Sequence, residues 1–282
     1  MSSTSHEEEV ASLITNASVL AFKSEFTQWA SLVRLDPDIR SRIPPDPAFQ
    51  AIRDIRNLSN RFPTWLTDPD SAQFKYLPET YHSLKNDLCS TLLAAKNRDP
   101  GRFHEEDDLP LAGTILPILQ TCHRTMILGR QRMNPTEIGW CVAIDGLLLH
   151  ICEVGEGAVM SYSTEQDLKL PQARFGRCDV THTMADGVML AAIDFKPYRA
   201  NPEMQTAATA LCSEIPRHLQ VVHCVVEFEG ESSLSGANKA IMGVVSAAYQ
   251  KRVLGVPGQF TFGVFQYQKY FVQVFAGAWQ AK

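Results

Sequence analysis

No stretch of roughly 18 consecutive apolar residues occurs in this chain, so the sequence offers no membrane-spanning helix. Its first residues, MSSTSHEEEV, lack the basic flank and apolar run of a secretory signal, and the expected place of action is inside the cell, in cytoplasm or nucleus. Cysteine pairs at C-x2-C spacing are missing as well. The thiols of Cys89, Cys122, Cys141, Cys152, Cys178, Cys212 and Cys224 are odd in number and scattered, which argues against a disulfide framework or a zinc site and reads as buried, reduced cysteine. Basic charge is in short supply: 26 Lys and Arg against 31 Asp and Glu leave a net charge of -5, so any polyanion must be met by a local patch. The sequence has no G-x-S-x-G elbow, no glycine-rich loop ending in Lys-Ser/Thr and no G-x-G-x-x-G opening a helix. No internal repeat or low-complexity tract is visible.

What is present is the composition of a folded globular protein, with 45% hydrophobic and 20% charged residues in 282. Up to about residue 133 the pattern is helical. EEEVASLITNASVLAFKSEFTQWASLV, PETYHSLKNDLCSTLLAAKN and AGTILPILQTCHRTMIL carry apolar positions three and four residues apart. The Pro-, Asp- and Gly-rich stretches between them, RLDPDIRSRIPPDPAF, TDPDS and KNRDPGRFHEEDDLPLAG, read as loops, the last as a mobile acidic segment.

From Asn134 the character changes. NPTEIGWCVAIDGLLLHICEV reads as a helix with Asn134 as cap and Pro135 in its first turn, and mostly strands follow. NPEMQTAATALCSEI reads as a short helix begun by Asn201 and Pro202, HLQVVHCVVEFEG as a valine-rich strand, SGANKAIMGVVSAAYQKRVLG as a helix closed by a basic pair and Gly255, and QFTFGVFQYQKYFVQVFAGAW as an aromatic hairpin. The expected architecture is a helical region over 1–133 followed by an α/β (α+β) core over 134–282.

Within the core, RCDVTHTMADGVMLAAIDFKPY carries Asp179 near its start and Asp194-Phe195-Lys196 near its end. If Ala185-Asp186-Gly187 is a turn, the two flanking runs pair as a hairpin, Asp179 approaches Asp194, and Asp194 and Lys196 share a strand face. Two carboxylates and a lysine are the minimum set for metal-dependent phosphodiester hydrolysis, because hard cations take oxygen ligands and the lysine steadies the attacking water or the developing charge.

These residues resemble the PD-(D/E)XK, or restriction-endonuclease-like, nuclease superfamily, and in particular the nuclease-like domains of fungal proteins, over Asn134 to Trp279. The resemblance implies a mixed sheet flanked by helices, with a core order of helix, strands, acid-bearing hairpin, helix and strand. Cys178-Asp179 stands in for the family's PD, Asp194-Phe195-Lys196 for its (D/E)XK, Glu137 for the acid of the first core helix and Gln205 for a glutamine on the helix after the lysine. That register implies an Mg²⁺- or Mn²⁺-dependent nuclease acting on DNA or RNA, with Asp179, Asp194 and Glu137 as metal ligands.

A second register is similar to the fungal domains in overall order. It matches TEIGWCVAIDGLLLHI to their first helix, VVHCVVEFEG to their acid-bearing strand and ANKAIMGVVSAAYQKR to the helix that follows. In it Asp179 and Glu227 are the acids, Glu229 stands where the lysine belongs, and no glutamine follows. That version implies an eroded site serving as a protein- or nucleic-acid-binding module. The helical region then offers a surface for a protein partner or a second copy of the chain.

Each of these residues also has a purely structural reading. Asp194 and Lys196 could be a solvated ion pair, Asp179 a charge guarding a strand edge, Glu137 a carboxylate suited to a first helical turn, and Gln205 a polar helix position. His182 alternates away from Asp179 and is left out of the acid set. The aromatics around Phe262, Phe265 and Phe271 suit base stacking or simple core packing.

Overall fold

The computed structural model describes residues 16–22, 24–130, 137–154, 159–175, 178–212, 215–228, 233–256, 258–267 and 271–279. The helical region comprises α1 (Ala17–Ala21), α2 (Glu25–Leu32), α3 (Gln50–Leu58), α4 (His82–Arg98) and α5 (Leu109–Arg130), with β1 (Phe62–Pro63) and β2 (Phe103–His104) pairing in parallel. Of the first stretch expected to be helical, residues 7–15 lie outside the described residues, and the remainder holds two short helices. Asn16 begins α1 by accepting the N–H groups of Ser18 and Val19 on its side chain, and the helical path breaks between Ala21 and Glu25. α3 follows directly on the proline-rich loop. Asp46 accepts the Ala48 N–H at 2.8 Å and starts a 3₁₀ turn that runs into it. In the acidic stretch before α5, β2 is tied to β1, and Gln73 Nε2 donates to Asp107 at 3.0 Å.

The second half runs α6 (Glu137–Val154), β3 (Met160–Lys169), β4 (Arg174–Phe175), β5 (Cys178–Asp179), β6 (His182–Ile193), α7 (Lys196–Ala200), α8 (Pro202–Ala208), β7 (Leu219–Glu227), α9 (Ser233–Val253), β8 (Thr261–Tyr267) and β9 (Phe271–Gly277). A five-stranded mixed sheet has the order β3-β6-β7-β8-β9. β3, β6 and β7 form an antiparallel meander, α9 crosses over to β8, which is parallel to β7, and β9 returns antiparallel. The chain is therefore α/β with a mixed sheet flanked by helices and preceded by a helical region. The expected cap of α6, Asn134 with Pro135, lies outside the described residues. Asn201 does cap α8, its side chain accepting the Met204 N–H at 3.0 Å, and Gly255 follows α9 at φ 77°.

At β7 the sheet is covered on both faces, which explains why this strand is nearly continuously apolar. On one face α6 packs Cys141, Ile144 and Leu148 onto Met189, Val226, Phe228 and Val264. On the other, Ala247 of α9 meets Val222, Val225, Val188 and Leu190. The outer side of α9 is not left to solvent: Leu20, Phe26 and Trp29 from α1 and α2 pack on Ile241, Met242 and Val245, and Asn238 donates to the Ala21 carbonyl at 2.8 Å. A separate cluster of Leu66, Phe74, Cys89, Ile115 and Leu119 holds α4 to α5. The thiols of Cys89, Cys152, Cys178 and Cys224 are buried, whereas Cys122 is exposed, contrary to the expectation that all are interior. Among the described residues no helix is long and apolar enough to cross a membrane.

The Ala185-Asp186-Gly187 turn does not exist: β6 runs unbroken through it for 12 residues, paired with β3 on one side and β7 on the other. Asp-Gly is a strong hairpin signal, but two neighbouring strands outcompete it here. Gly187 serves a different end. A Cβ at this position would collide with the ring and hydroxyl of Tyr162, which lies across the strand, so the glycine marks a close approach of side chain to backbone.

Candidate functional site

The continuity of β6 separates the acids that the hairpin was meant to unite. Asp179 precedes the strand and Asp194 follows it, so the two lie beyond opposite ends of a 12-residue strand that at about 3.3 Å per residue spans roughly 35 Å. No cation with ligand distances of about 2.0–2.6 Å can bridge that gap. Asp179 instead lies in the small β4–β5 ladder, where Arg174 donates to its carboxylate at 2.7 Å and holds its pKa below the ordinary value. Asp194 pairs with Arg199 at 3.2 Å.

The other members of that register take other places than a hairpin would give them. Lys196 is not on a strand face with Asp194 but opens α7. Gln205 lies on α8, its amide donating to the Arg199 carbonyl at 3.4 Å. Glu137 is the first residue of α6, and its side chain lies outside what the structure describes, as does Glu229. Asp179, Asp194, Lys196 and Gln205 therefore do not form one centre built on a hairpin. Asp179 precedes β6 at the end toward which Glu227 lies, but it belongs to the separate β4–β5 ladder and pairs with Arg174, so it is not the acid that β6 itself carries beside Glu227.

A different acid stands next to Glu227 in register. The β6–β7 ladder pairs Gly187 with Val226, so one step further the register sets Asp186 opposite Glu227. Side chains directly opposite on antiparallel strands have Cβ atoms about 4.5–5.5 Å apart. The junction is also fixed by a hydrogen bond: the Phe228 N–H donates to Asp186 Oδ2 at 2.6 Å. Charge-assisted bonds of this kind are short and directional, and this one anchors Asp186 beside the backbone just beyond Glu227. Asp186 is partly buried, whereas Glu227 is 1% exposed.

The same row continues onto β3. Thr164 pairs with Gly187 and Gln166 with Ala185, which leaves Glu165 level with Asp186. Glu165 sits at φ 51°, a left-handed conformation that non-glycine residues seldom adopt, and here it interrupts the regular pleat beside the acid. Among the described residues, no group of three or more His, Cys, Asp or Glu side chains converges closely enough to hold a metal ion. The arrangement is thus an acidic pair, Asp186 with Glu227, flanked in register by an exposed glutamate.

The pair lies at the carboxyl end of a central strand. Glu227 ends β7 where the chain leaves the sheet for α9, and β7 and β8 are parallel with Glu227 beside Phe265. Two carboxylates there provide hard oxygen donors. Such a pair fits Mg²⁺ or Mn²⁺, which are commonly held by one or two protein carboxylates with water and substrate phosphate completing the shell.

The sequence signal for this pair was Glu227 itself, at the end of a valine-rich strand. Asp186 was hidden by the glycine after it, which made a strand interior look like a turn. No family model matches the chain, and no match is found among curated proteins or solved structures.

Proposed function

We propose that this is a nuclease-like protein of the PD-(D/E)XK kind, with Asp186 and Glu227 as its acidic centre in place of Asp179 and Asp194. It binds Mg²⁺ or Mn²⁺ there and hydrolyses phosphodiester bonds of DNA or RNA. The observation that carries the reading is the juxtaposition of Asp186 and Glu227 across β6 and β7 at the mouth of the α9 crossover. The order α6, β3-β6-β7 meander, α9 and β8 supports it, since the resemblance implies helix, strands, helix and strand, although α7 and α8 stand between β6 and β7 in place of a hairpin turn.

In this centre the carboxylates of Asp186 and Glu227 supply oxygen ligands, and the Phe228 N–H keeps Asp186 oriented before any ligand arrives. Burial of Glu227 lowers the local dielectric and strengthens its attraction for a cation. A bound divalent ion supplies the charge that polarises a phosphoryl oxygen and lowers the pKa of a water. One feature favours the second reading, a binding module with an eroded site: two residues after Glu227 the sequence has Glu229 rather than lysine, so the motif brings no cationic side chain.

Calorimetric titration of Mn²⁺ into the protein and into Asp186→Asn, Glu227→Gln, Asp179→Ala and Asp194→Ala tests the assignment. The first two are expected to lose binding, and the last two to retain it. Asparagine at 186 keeps an oxygen for the Phe228 N–H, so its loss of binding is not a loss of fold. Binding with metal-dependent cleavage of single- or double-stranded DNA or RNA supports the nuclease. Binding without cleavage of any of them supports the eroded module. Binding that survives Asp186→Asn and Glu227→Gln would remove this pair from the reading.

A further inference from the structure

We propose that the groove between α5 and α6 is a homodimer interface, in which α5 of one copy packs against α6 of the other about a two-fold axis. The groove encloses about 760 Å³ and lies away from the Asp186–Glu227 pair, so the inference does not depend on the functional reading above. Its floor is the packed contact of the two helices, where the Thr121 hydroxyl bonds the carbonyls of Pro117 at 2.9 Å and Ala143 at 3.0 Å.

Both walls carry helical stripes that face outward. On α5, Arg124 and Ile127 are one turn apart. On α6, Val142, Gly146, Leu149 and Glu153 recur at spacings of four, three and four residues. Ile127, Val142 and Leu149 are 39%, 42% and 45% exposed, so the stripes present apolar area to solvent along the groove. At its middle, a Cβ on Gly146 would meet no atom within 4 Å, which leaves room for another helix to come close.

Charge selects the occupant. The α5 wall is cationic through Arg124, and the α6 wall is anionic through Glu153. Among the described residues neither forms a salt bridge within its own chain. A two-fold axis lays unlike walls on each other, because an isologous interface brings patch i onto patch j and j onto i. Arg124 of each copy then faces Glu153 of the other, and one surface supplies both charges and both apolar stripes. A foreign helix would have to bring the complement of each wall, whereas a second copy already carries it.

Sedimentation equilibrium of the full chain, with Arg124→Glu, Glu153→Arg and the double reversal Arg124→Glu/Glu153→Arg, tests this. The wild type is expected to dimerise in a concentration-dependent manner. Each single reversal places like charges in contact and is expected to weaken the dimer by roughly tenfold or more. The double reversal restores opposite charges and is expected to return dimerisation close to the wild-type level. Gly146→Gln, which adds bulk into open space and improves helix propensity, is expected to weaken the dimer without lowering the unfolding temperature. A wild type that stays monomeric throughout, a dimer indifferent to both single reversals, or a double reversal as weak as the singles would overturn the interface.

Discussion

Lys251 shows how a single residue can set a pH dependence. It is 1% exposed near the end of α9, and its ammonium donates to the carbonyl of Phe260 and, at 2.8 Å, to Thr261 Oγ1, tying the helix to the start of β8. Burial disfavours the charged form and pushes its pKa down to about 8 from 10.5. Between those values the unfolded chain holds more protons at this site than the folded one, so stability rises with pH across that window. The gain from Lys251 alone amounts to about 3 kcal/mol at most, taking roughly 1.4 kcal/mol per unit. Urea unfolding of the wild type and Lys251→Met at pH 7.5, 9 and 10 is expected to show the wild type gaining on the variant as pH rises. A constant difference would mean that the lysine is not desolvated as described.

Gly187 lies where a side chain closes onto the backbone of β6. Tyr162 lies over it and donates to Asp145 of α6 at 2.6 Å; burial raises the pKa of both groups. Gly187→Ala must displace the tyrosine, which breaks that bond and opens the cluster beneath α6. The expected cost is about 2–4 kcal/mol, by the mechanisms of overpacking and an orphaned polar pair. Tyr162→Phe in the same background separates the two contributions. If removing the hydroxyl restores most of the stability, the clash is with that group; if not, the ring itself is at fault.

At the scale of elements, most of the second half was legible because its signals were local. The Asn201-Pro202 start, the valine run of β7, the basic end of α9 with Gly255, and the alternating aromatics of β8 and β9 each depend on neighbours in sequence. What was not legible depends on partners distant in sequence. β6 is one strand because β3 and β7 flank it, and Asp186 meets Glu227 only through their register. Gln250 illustrates the same limit: a polar residue on the buried face of α9 has no meaning from periodicity alone. In the fold it accepts the Val222 N–H at 3.0 Å and donates to Ala208 and Gln220 carbonyls at 2.8 and 2.7 Å, joining α9, β7 and the end of α8. Gln250→Leu keeps the volume and strands these backbone groups, each costing about 1–3 kcal/mol when buried. A loss of roughly 3 kcal/mol or more in urea unfolding is expected, and a loss under 1 would show that water replaces the amide.

For the molecule as a whole, the division at about residue 133 that the sequence suggested does not describe how the core is closed. α1 and α2 come from the beginning of the chain, yet Leu20 and Trp29 are fully buried and Phe26 is 5% exposed against α9. Burying side chains of this size contributes about 1.5–3 kcal/mol each, or roughly 5–9 kcal/mol for the three together. That is of the same order as the roughly 5–15 kcal/mol that separates folded from unfolded in an ordinary domain. A fragment comprising residues 134–282 is therefore expected to lack a cooperative urea transition, since Ile241, Met242 and Val245 would face water. Adding a peptide of residues 16–35 in excess is expected to restore the transition, with a midpoint that climbs with peptide concentration as linkage requires. Trp29→Ala in that peptide should abolish the rescue. A fragment that unfolds cooperatively on its own, with the midpoint of the full chain, would instead make the first helices a dispensable appendage and return the boundary to where the sequence pattern put it.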